Sequence, residues 1–246
     1  MFILATLFVG YAYAQQTPAP AADAEAESIL EKAERIRFPA DGFEVQVSVS
    51  TTNQGEATDA RKFRVLSKGT NKTVALLTEP ASDRGQILLM NGRDFWVYLP
   101  SVSQPVRLPL SQKLSGQVAN GDIARANFLG DYTPRILRTE KIDDEDYYVL
   151  ELNAVDKTVT YHRVVYWVKQ SNFNPYKAEF YALSGNLLKT CSFERFQQMA
   201  GRMRPSRLVL VDALRKGEQS VLEYSNMTVK DIPDRTFTKD YLKRID

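Results

Sequence analysis

The chain has 246 residues, of which 43% are hydrophobic and 25% are charged, and this composition is typical of a globular protein. It excludes disordered, collagen-like and multi-span membrane proteins. The 32 Lys and Arg residues nearly balance the 30 Asp and Glu residues, and no long basic run occurs, so we expect no nucleic-acid partner. Because Cys191 is the single cysteine and His162 the single histidine, an intrachain disulfide and a structural zinc site are both excluded.

The first 14 residues have the pattern of a secretory signal peptide. An apolar run from Phe2 to Gly10 precedes Ala12-Tyr13-Ala14, a small-x-small sequence of the kind that signal peptidase cleaves. The run is shorter than the ~20 residues of a membrane-spanning helix. We therefore expect cleavage after Ala14 and a periplasmic protein. A buried N-terminal helix is the alternative, and the lack of a basic residue before the run leaves open whether translation starts upstream.

A linker and an amphipathic helix are predicted next. Residues 15–27 are rich in Pro and Ala, which is typical of a linker, and the folded domain is expected over residues 28–246. Ser28-Ile29-Leu30-Glu31 has the form of a capping box, so the helix is expected to begin at Ser28. Apolar residues then recur at helical spacing, Glu34 is expected to face water, and Pro39 with Gly42 predicts the end of the helix.

From Phe43 onward apolar and polar residues alternate, which is the period of a β-strand. In the first strand Phe43, Val45, Val47 and Val49 share one face. Asn91-Gly92 predicts a tight hairpin because both turn residues accept positive φ. No helices separate the alternating segments, so the sequence predicts an antiparallel meander. The further predicted strands are residues 62–67, 72–78, 86–90, 95–99, 135–142, 147–152, 159–168, 176–182, 187–196, 207–214 and 221–229.

One long segment, residues 110–131, breaks this alternation. It contains three glycines and spaces Leu114, Val118 and Ile123 like short helical pieces. Long irregular insertions in compact domains are usually functional lids or disordered loops, and we interpret this one as a lid. Near the C-terminus, residues 237–244 predict a short helix.

The sequence offers little for covalent catalysis. Nucleophilic catalysis usually needs a histidine base, and His162 and Cys191 both lie inside predicted strands. No glycine-rich phosphate-binding motif occurs. The acidic residues 143–146 lack the spacing of an EF-hand and predict a solvated turn. We therefore expect no catalytic residues, no metal and no cofactor.

The bulky apolar residues of the predicted strands allow two interpretations. On the strand after the Asn91-Gly92 turn, Trp96 and Tyr98 alternate with apolar residues, so both faces carry apolar mass. Either the sheet is covered on both sides around a solid core, or a half-open barrel holds an apolar ligand. In the second case Leu114, Val118 and Ile123 belong to the lid. The cavity wall then consists of Phe43, Val45, Val47, Val49, Phe95, Val97 and Leu99.

Three stretches carry a resemblance to a known family. Residues 91–100 contain a Trp-x-Tyr-x-Pro signature. Residues 175–190 predict a hairpin that carries charged and aromatic side chains, and residues 232–242 form a tail that contains the sequence Pro-Asp. In this order and spacing they resemble motifs of the LolA-like superfamily, the periplasmic proteins that sort outer-membrane lipoproteins. The resemblance extends from Ile29 to Arg244.

The resemblance implies a mainly β protein: an unclosed antiparallel barrel of about eleven strands, with a helical lid over a hydrophobic cavity. It implies a monomeric carrier without enzymatic activity or cofactor, which delivers a lipoprotein acyl chain or related amphiphile towards the outer membrane. Its partners would be a lipid or acylated protein, an inner-membrane transporter and an outer-membrane acceptor. A lipid-sensing regulatory protein of the same fold and an enzyme acting on a small apolar substrate are the alternatives.

Two features leave the ligand open. Gly121-Asp122-Ile123 stands where many relatives carry Ser-Asp-Phe in the lid. The cavity arginine of the best-known carriers has three candidates here, Arg64, Arg107 and Arg138.

Overall fold

The computed structural model describes residues 23–102, 104–124 and 127–242, so the predicted signal peptide and residues 15–22 of the predicted linker lie outside the described residues. The first element is α1 (Ala24–Arg37). Its N-terminus is capped by Asp23, whose carboxylate accepts hydrogen bonds from the backbone N–H groups of Glu25 and Ala26. The predicted start at Ser28 is wrong, because Asp23 caps the helix earlier and residues 24–27 are helical.

Most of the described chain forms β-strands. In chain order they are β1 (Phe43–Asn53), β2 (Glu56–Lys68), β3 (Lys72–Glu79), β4 (Ile87–Asn91), β5 (Asp94–Tyr98), β6 (Val106–Arg107), β7 (Lys113–Ser115), β8 (Val118–Ala119), β9 (Tyr132–Ile142), β10 (Glu145–Ala154), β11 (Arg163–Lys169), β12 (Pro175–Tyr181), β13 (Leu187–Met199), β14 (Arg202–Asp212) and β15 (Glu218–Val229). Every alternating segment of the sequence overlaps one of these strands.

Within the described residues, thirteen strands form one antiparallel sheet in the order β6-β5-β4-β3-β2-β1-β15-β14-β13-β12-β11-β10-β9, and β7 pairs with β8 separately. The two end strands, β6 and β9, do not pair with each other, so the sheet curls without closing. This confirms the predicted half-open antiparallel barrel. The resemblance implies about eleven strands, and the alternating pattern gives twelve segments. The additional strand of this sheet is the two-residue β6, which is too short to show a period in the sequence.

Three further details of the secondary structure differ from the sequence predictions. Strand β11 begins at Arg163, although a strand was expected from residue 159. The lid segment contains β7, β8 and a short helix, α2 (Asn120–Ala124). The predicted C-terminal helix is divided into a 3-10 turn (Asp234–Phe237) and α3 (Lys239–Leu242). No helix in the described ranges is long and apolar enough to cross a bilayer.

Both faces of the sheet carry buried apolar residues. Ile29, Leu30 and Ala33 of α1 belong to the same buried cluster as the inward-facing residues of β1 and β5, so α1 packs on the concave face. On the convex face, Phe237 and Leu242 of the C-terminal segment cover apolar residues of β2, β3 and β4. The concave interior is therefore enclosed by the barrel wall, α1 and the lid.

Candidate functional site

Six of the seven predicted wall residues lie in the main buried cluster on the concave face, and the seventh packs against it. Phe43, Val45, Val47 and Val49 alternate along β1 with outward polar residues, as their spacing predicts. On β5, Phe95 and Val97 are buried. Leu99 follows β5 and packs half-buried against the same cluster. The β1 and β5 side chains thus lie on the concave face, and their role in binding a ligand stays a prediction.

The lid enters this interior instead of merely covering its rim. Val118 and Ile123 are buried in the main cluster, and Leu114 packs half-buried against it. Helix α2 approaches Thr160 so closely that a Cβ atom on Gly121 would lie 2.0 Å from the Thr160 Oγ1 atom. Only glycine allows this approach, so the lack of a side chain at position 121 lets α2 pack directly against Thr160.

A cavity of about 40 Å³ remains between the lid and the wall. It is lined on one side by Phe38, Val65 and the β1 residues Phe43, Val45 and Val47, and on the other by Ile123 and Ala124 of the lid. Of the other predicted site residues, Val49, Phe95, Val97, Leu99, Leu114 and Val118 do not line this cavity and form the surrounding core.

A second cavity of about 30 Å³ shares Asp122 with the first and extends to Phe180, Phe193 and Leu222. Both volumes are far below the ~300–1,000 Å³ of typical ligand pockets. With the lid in place, neither of these two cavities, as the described residues define them, has room for a long ligand, so a long ligand can occupy them only if the lid moves.

Asp122 in α2 is the centre of a buried polar cluster, which we call the lid latch: Asp122, Lys189, Tyr161 and Gln117. The Asp122 carboxylate accepts hydrogen bonds from Lys189 Nζ at 2.6 Å and from the Tyr161 hydroxyl at 2.8 Å. Lys189 Nζ also donates to the Gln117 carbonyl oxygen at 2.5 Å. Burial raises the pKa of Tyr161 well above its usual value, so its hydroxyl stays protonated and donates.

A second charged pair fixes the far end of the lid to α1. The carboxylate of Glu34 accepts hydrogen bonds from Arg37 Nη1 at 2.9 Å and from the backbone N–H of Phe128 at 3.1 Å. The Tyr166 hydroxyl lies 3.4 Å from the same carboxylate. Glu34 and Arg37 are both buried, so the expectation that Glu34 faces water is wrong. Because the pair is internally neutralised, it can occupy the core.

The β7–β8 hairpin of the lid closes one end of the barrel. The backbone N–H of Gln117 donates to the Ser220 Oγ atom at 2.9 Å, and the Thr51 and Ser220 hydroxyl oxygens lie 2.9 Å apart. Gly116 has a φ of +49° and packs so closely that a Cβ there would lie 2.4 Å from Thr51. The lid is thus held at three places, by hydroxyl groups here and by charged groups at α2 and α1.

None of the three candidate arginines faces the interior. Arg64 forms an ion pair with Glu44 at 2.7 Å on the outer face of β1 and β2. Arg107 pairs with Asp94, and Arg138 with Glu140, on exposed surfaces. Among the described residues the buried cations are instead Arg37, Lys189 and Arg204, which the sequence analysis missed. The signal for Lys189 was its alternation with Cys191 and Phe193, which places a lysine on an apolar strand face.

The described residues show no arrangement typical of a catalytic or metal site. His162 is exposed and precedes β11, so its predicted place inside a strand is wrong. Burial raises the pKa of Cys191 to about 12, which keeps its thiol protonated and a poor nucleophile. Asp143 and Asp144 lie in the turn between β9 and β10, as predicted. In the described ranges no group of three or more His, Cys, Asp or Glu side chains could hold a metal ion.

Comparison with known proteins places this fold in a family. A LolA superfamily protein from Nitrosomonas europaea is 61% identical in sequence, with a TM-score of 0.84, and the match covers 88% of this chain and 98% of that chain. A DUF1329 family protein from Desulfovibrio piger is 22% identical, with a TM-score of 0.75 and coverages of 89% and 98%. A Vibrio parahaemolyticus domain described as an outer membrane lipoprotein-sorting protein is 22% identical, with a TM-score of 0.77 and coverages of 89% and 99%.

The two more distant structures share the fold alone. A family model described as "Uncharacterized protein" matches residues 69–244. No curated protein sequence matches the chain. The 61% identity over nearly the whole of the Nitrosomonas protein confirms the resemblance found in the sequence motifs. The chain belongs to the LolA superfamily.

Proposed function

We propose that this protein is a periplasmic carrier that binds the acyl chain of a lipoprotein, or a related amphiphile, inside the barrel and delivers it towards the outer membrane. One observation carries the proposal: the apolar interior is filled by an inserted segment that buried polar contacts hold in place. A segment of this kind can be exchanged for an apolar chain. The fold is shared with the Vibrio domain that is described as a lipoprotein-sorting protein.

The energetics of exchange favour long chains. When the part of the lid from Val118 to Phe128 leaves, its large apolar residues Val118, Ile123 and Phe128 lose their burial, and each such residue costs about 1.5–3 kcal/mol. The three together cost roughly 5–9 kcal/mol by the same rule. Each ligand methylene that enters the barrel gains about 0.8 kcal/mol, so about 6–11 methylenes offset the exposed lid residues. A chain of about 14 methylenes therefore binds, and a chain of about six does not.

The predicted site residues have distinct roles in this proposal. Phe43, Val45 and Val47 already line the cavity and contact the chain first. Val49, Phe95, Val97 and Leu99 form the wall that becomes accessible when the lid leaves, and Leu114, Val118 and Ile123 cover the site when it is empty.

Binding without catalysis is supported by the chemistry of the interior. The Cys191 thiol is protonated and His162 is exposed. The buried carboxylate of Glu34 and the partly buried carboxylate of Asp122 are engaged by cations. We propose that the exported chain is cleaved after Ala14 and acts as a monomer without a cofactor. It takes its ligand from an inner-membrane transporter and gives it to an outer-membrane acceptor.

The test is to identify what the exported protein carries. We expect intact-mass measurement of protein from the periplasm to show a chain that begins at Gln15, and extraction followed by lipid mass spectrometry to show acyl lipid bound at close to one per chain. A series of methyl esters should then bind in order of chain length, with a threshold between six and about eleven methylenes. Protein that carries no lipid and binds no member of the series would contradict the proposal.

A further inference from the structure

Tyr224 carries a buried hydroxyl group that has no hydrogen-bond partner within the described part of the chain. The residue lies on β15, is 7% exposed and lines the 40 Å³ cavity beneath the lid. An unsatisfied buried hydroxyl costs about 1–3 kcal/mol, and phenylalanine would fill the same space without this cost. A hydroxyl group in this position therefore points to a partner that is bound for part of the time.

The surroundings of the hydroxyl define the chemistry of that partner. The Phe38 ring packs edge-on against the Tyr224 ring, with 5.8 Å between the centroids, and Val45 and Val47 line the same cavity. The described residues lining the cavity include no Lys, Arg or His. Their one charged member is Asp122, whose carboxylate already accepts from Lys189 and Tyr161. The Arg37 guanidinium acts on the Tyr224 hydroxyl from outside this lining, but the Glu34 carboxylate already engages it at 2.9 Å. An anionic ligand group would thus meet the charge of Asp122 and only a cation that is already paired, whereas an uncharged acceptor has no such penalty.

We propose that the Tyr224 hydroxyl donates a hydrogen bond to the carbonyl oxygen of an acyl ester, so that this cavity is the subsite for the carbonyl end of the bound chain. This inference rests on the proposed carrier function and specifies its ligand as an esterified acyl chain, in preference to a free fatty acid. Burial raises the pKa of Tyr224 above its usual value, so the hydroxyl remains a donor throughout the physiological range.

The same residues give the chain a direction. Leu222, two residues before Tyr224 on β15, also faces inward and lines the second cavity together with Phe180 and Phe193. The two cavities share Asp122, which belongs to the lid, so they join when the lid leaves. The carbonyl group then lies at Tyr224, and the methylenes extend past Leu222 towards Phe180.

The experiment compares ligands of equal length that differ at one end. Displacement of the neutral fluorophore N-phenyl-1-naphthylamine would be measured with methyl hexadecanoate, hexadecanoic acid at pH 8, and hexadecane. The proteins would be the parent, the variant Tyr224→Phe and the control Tyr176→Phe, which removes a partly exposed hydroxyl remote from the cavity. In the parent we expect the ester to bind more tightly than the acid. In Tyr224→Phe we expect the ester affinity to fall about 2–12-fold, as one hydrogen bond of about 0.5–1.5 kcal/mol implies, with hexadecane unchanged.

Each other outcome overturns the inference in a recognisable way. Equal ester affinity in the parent and Tyr224→Phe means that the hydroxyl meets no ligand and only water. A parent protein that prefers the acid overturns the choice of an ester, and this comparison needs no variant, so it stands even if Tyr224→Phe fails to fold. If the carrier function itself is wrong, the outcome is different: none of the three ligands then displaces the fluorophore from the parent protein.

Discussion

Lys189→Met removes the cation of the lid latch while retaining a side chain of similar length. Lys189 Nζ lies 2.6 Å from the Asp122 carboxylate, and the lysine side chain is only 4% exposed. Breaking a buried pair by removing one partner typically costs about 3–5 kcal/mol, because the other charge stays uncompensated. Asp122 belongs to the lid, so it regains water when the lid leaves. The cost therefore falls on the closed lid more than on the barrel.

This cost predicts a large shift towards the open state. At about 1.4 kcal/mol per factor of ten, 3–5 kcal/mol corresponds to about two to three and a half orders of magnitude in the ratio of open to closed protein. We expect amide hydrogen exchange in residues 110–124 to accelerate by that order, with slow exchange retained in β1 and β15. The affinity for methyl hexadecanoate should rise, because the binding-competent state is more populated.

The matched control is Lys216→Met, which removes an exposed lysine from the turn between β14 and β15. It should leave lid exchange and ligand affinity unchanged. The reasoning is refuted if Lys189→Met lowers the thermal midpoint of the whole protein while exchange in the lid stays like that of the barrel strands. Lys189 would then be an ordinary core residue and not a latch.

Three further predictions concern other contacts of the lid. Gly121→Ala should accelerate hydrogen exchange in α2, because the new Cβ would lie 2.0 Å from Thr160 Oγ1. Adding Thr160→Ala to this variant should partly restore slow exchange. Unchanged exchange in Gly121→Ala contradicts this prediction. Ser220→Ala leaves the Gln117 N–H without its acceptor and should lower the free energy of unfolding by about 1–3 kcal/mol in denaturant titrations, whereas an unchanged value contradicts this. The Cys191 thiol, with its pKa raised to about 12 by burial, should react slowly with a disulfide reagent at pH 8, and no faster once methyl hexadecanoate fills the cavity that Cys191 lines; rapid reaction in either state contradicts this.

The parts of the fold that the sequence predicted are those determined by local pattern. The alternation of Phe43, Val45, Val47 and Val49 places them inside the barrel, because a strand with one buried face repeats every two residues. The predicted hairpin joins β4 to β5, but its turn lies one residue later than expected: Asn91 pairs with Asp94, and Gly92-Arg93 forms the turn, with Gly92 at a φ of +64°. The lid was found because it interrupts this alternation.

The missed features depend on contacts between distant parts of the chain. Strand β1 pairs with β15, so that Val47 lies opposite Tyr224, and no local pattern specifies such a pairing. Glu34 was assigned to water because charged residues are rarely buried, but Arg37 and the Phe128 N–H compensate it in the folded protein. The sequence could not predict how far the lid fills the cavity, because this depends on side-chain packing between α2, β1 and Thr160.

The central claim is that the ligand occupies space that the lid fills in the empty protein, and a reversible lock on the lid tests it most directly. The Thr51 Oγ1 and Ser115 Oγ atoms, on β1 and β7, lie 3.4 Å apart, so Thr51→Cys with Ser115→Cys can form a disulfide that holds the lid to the wall. Cys191 is buried and should stay out of this reaction. We predict that the oxidised variant does not bind methyl hexadecanoate and that reduction restores binding to the level of the parent. Equal binding by the oxidised and reduced forms would contradict the account.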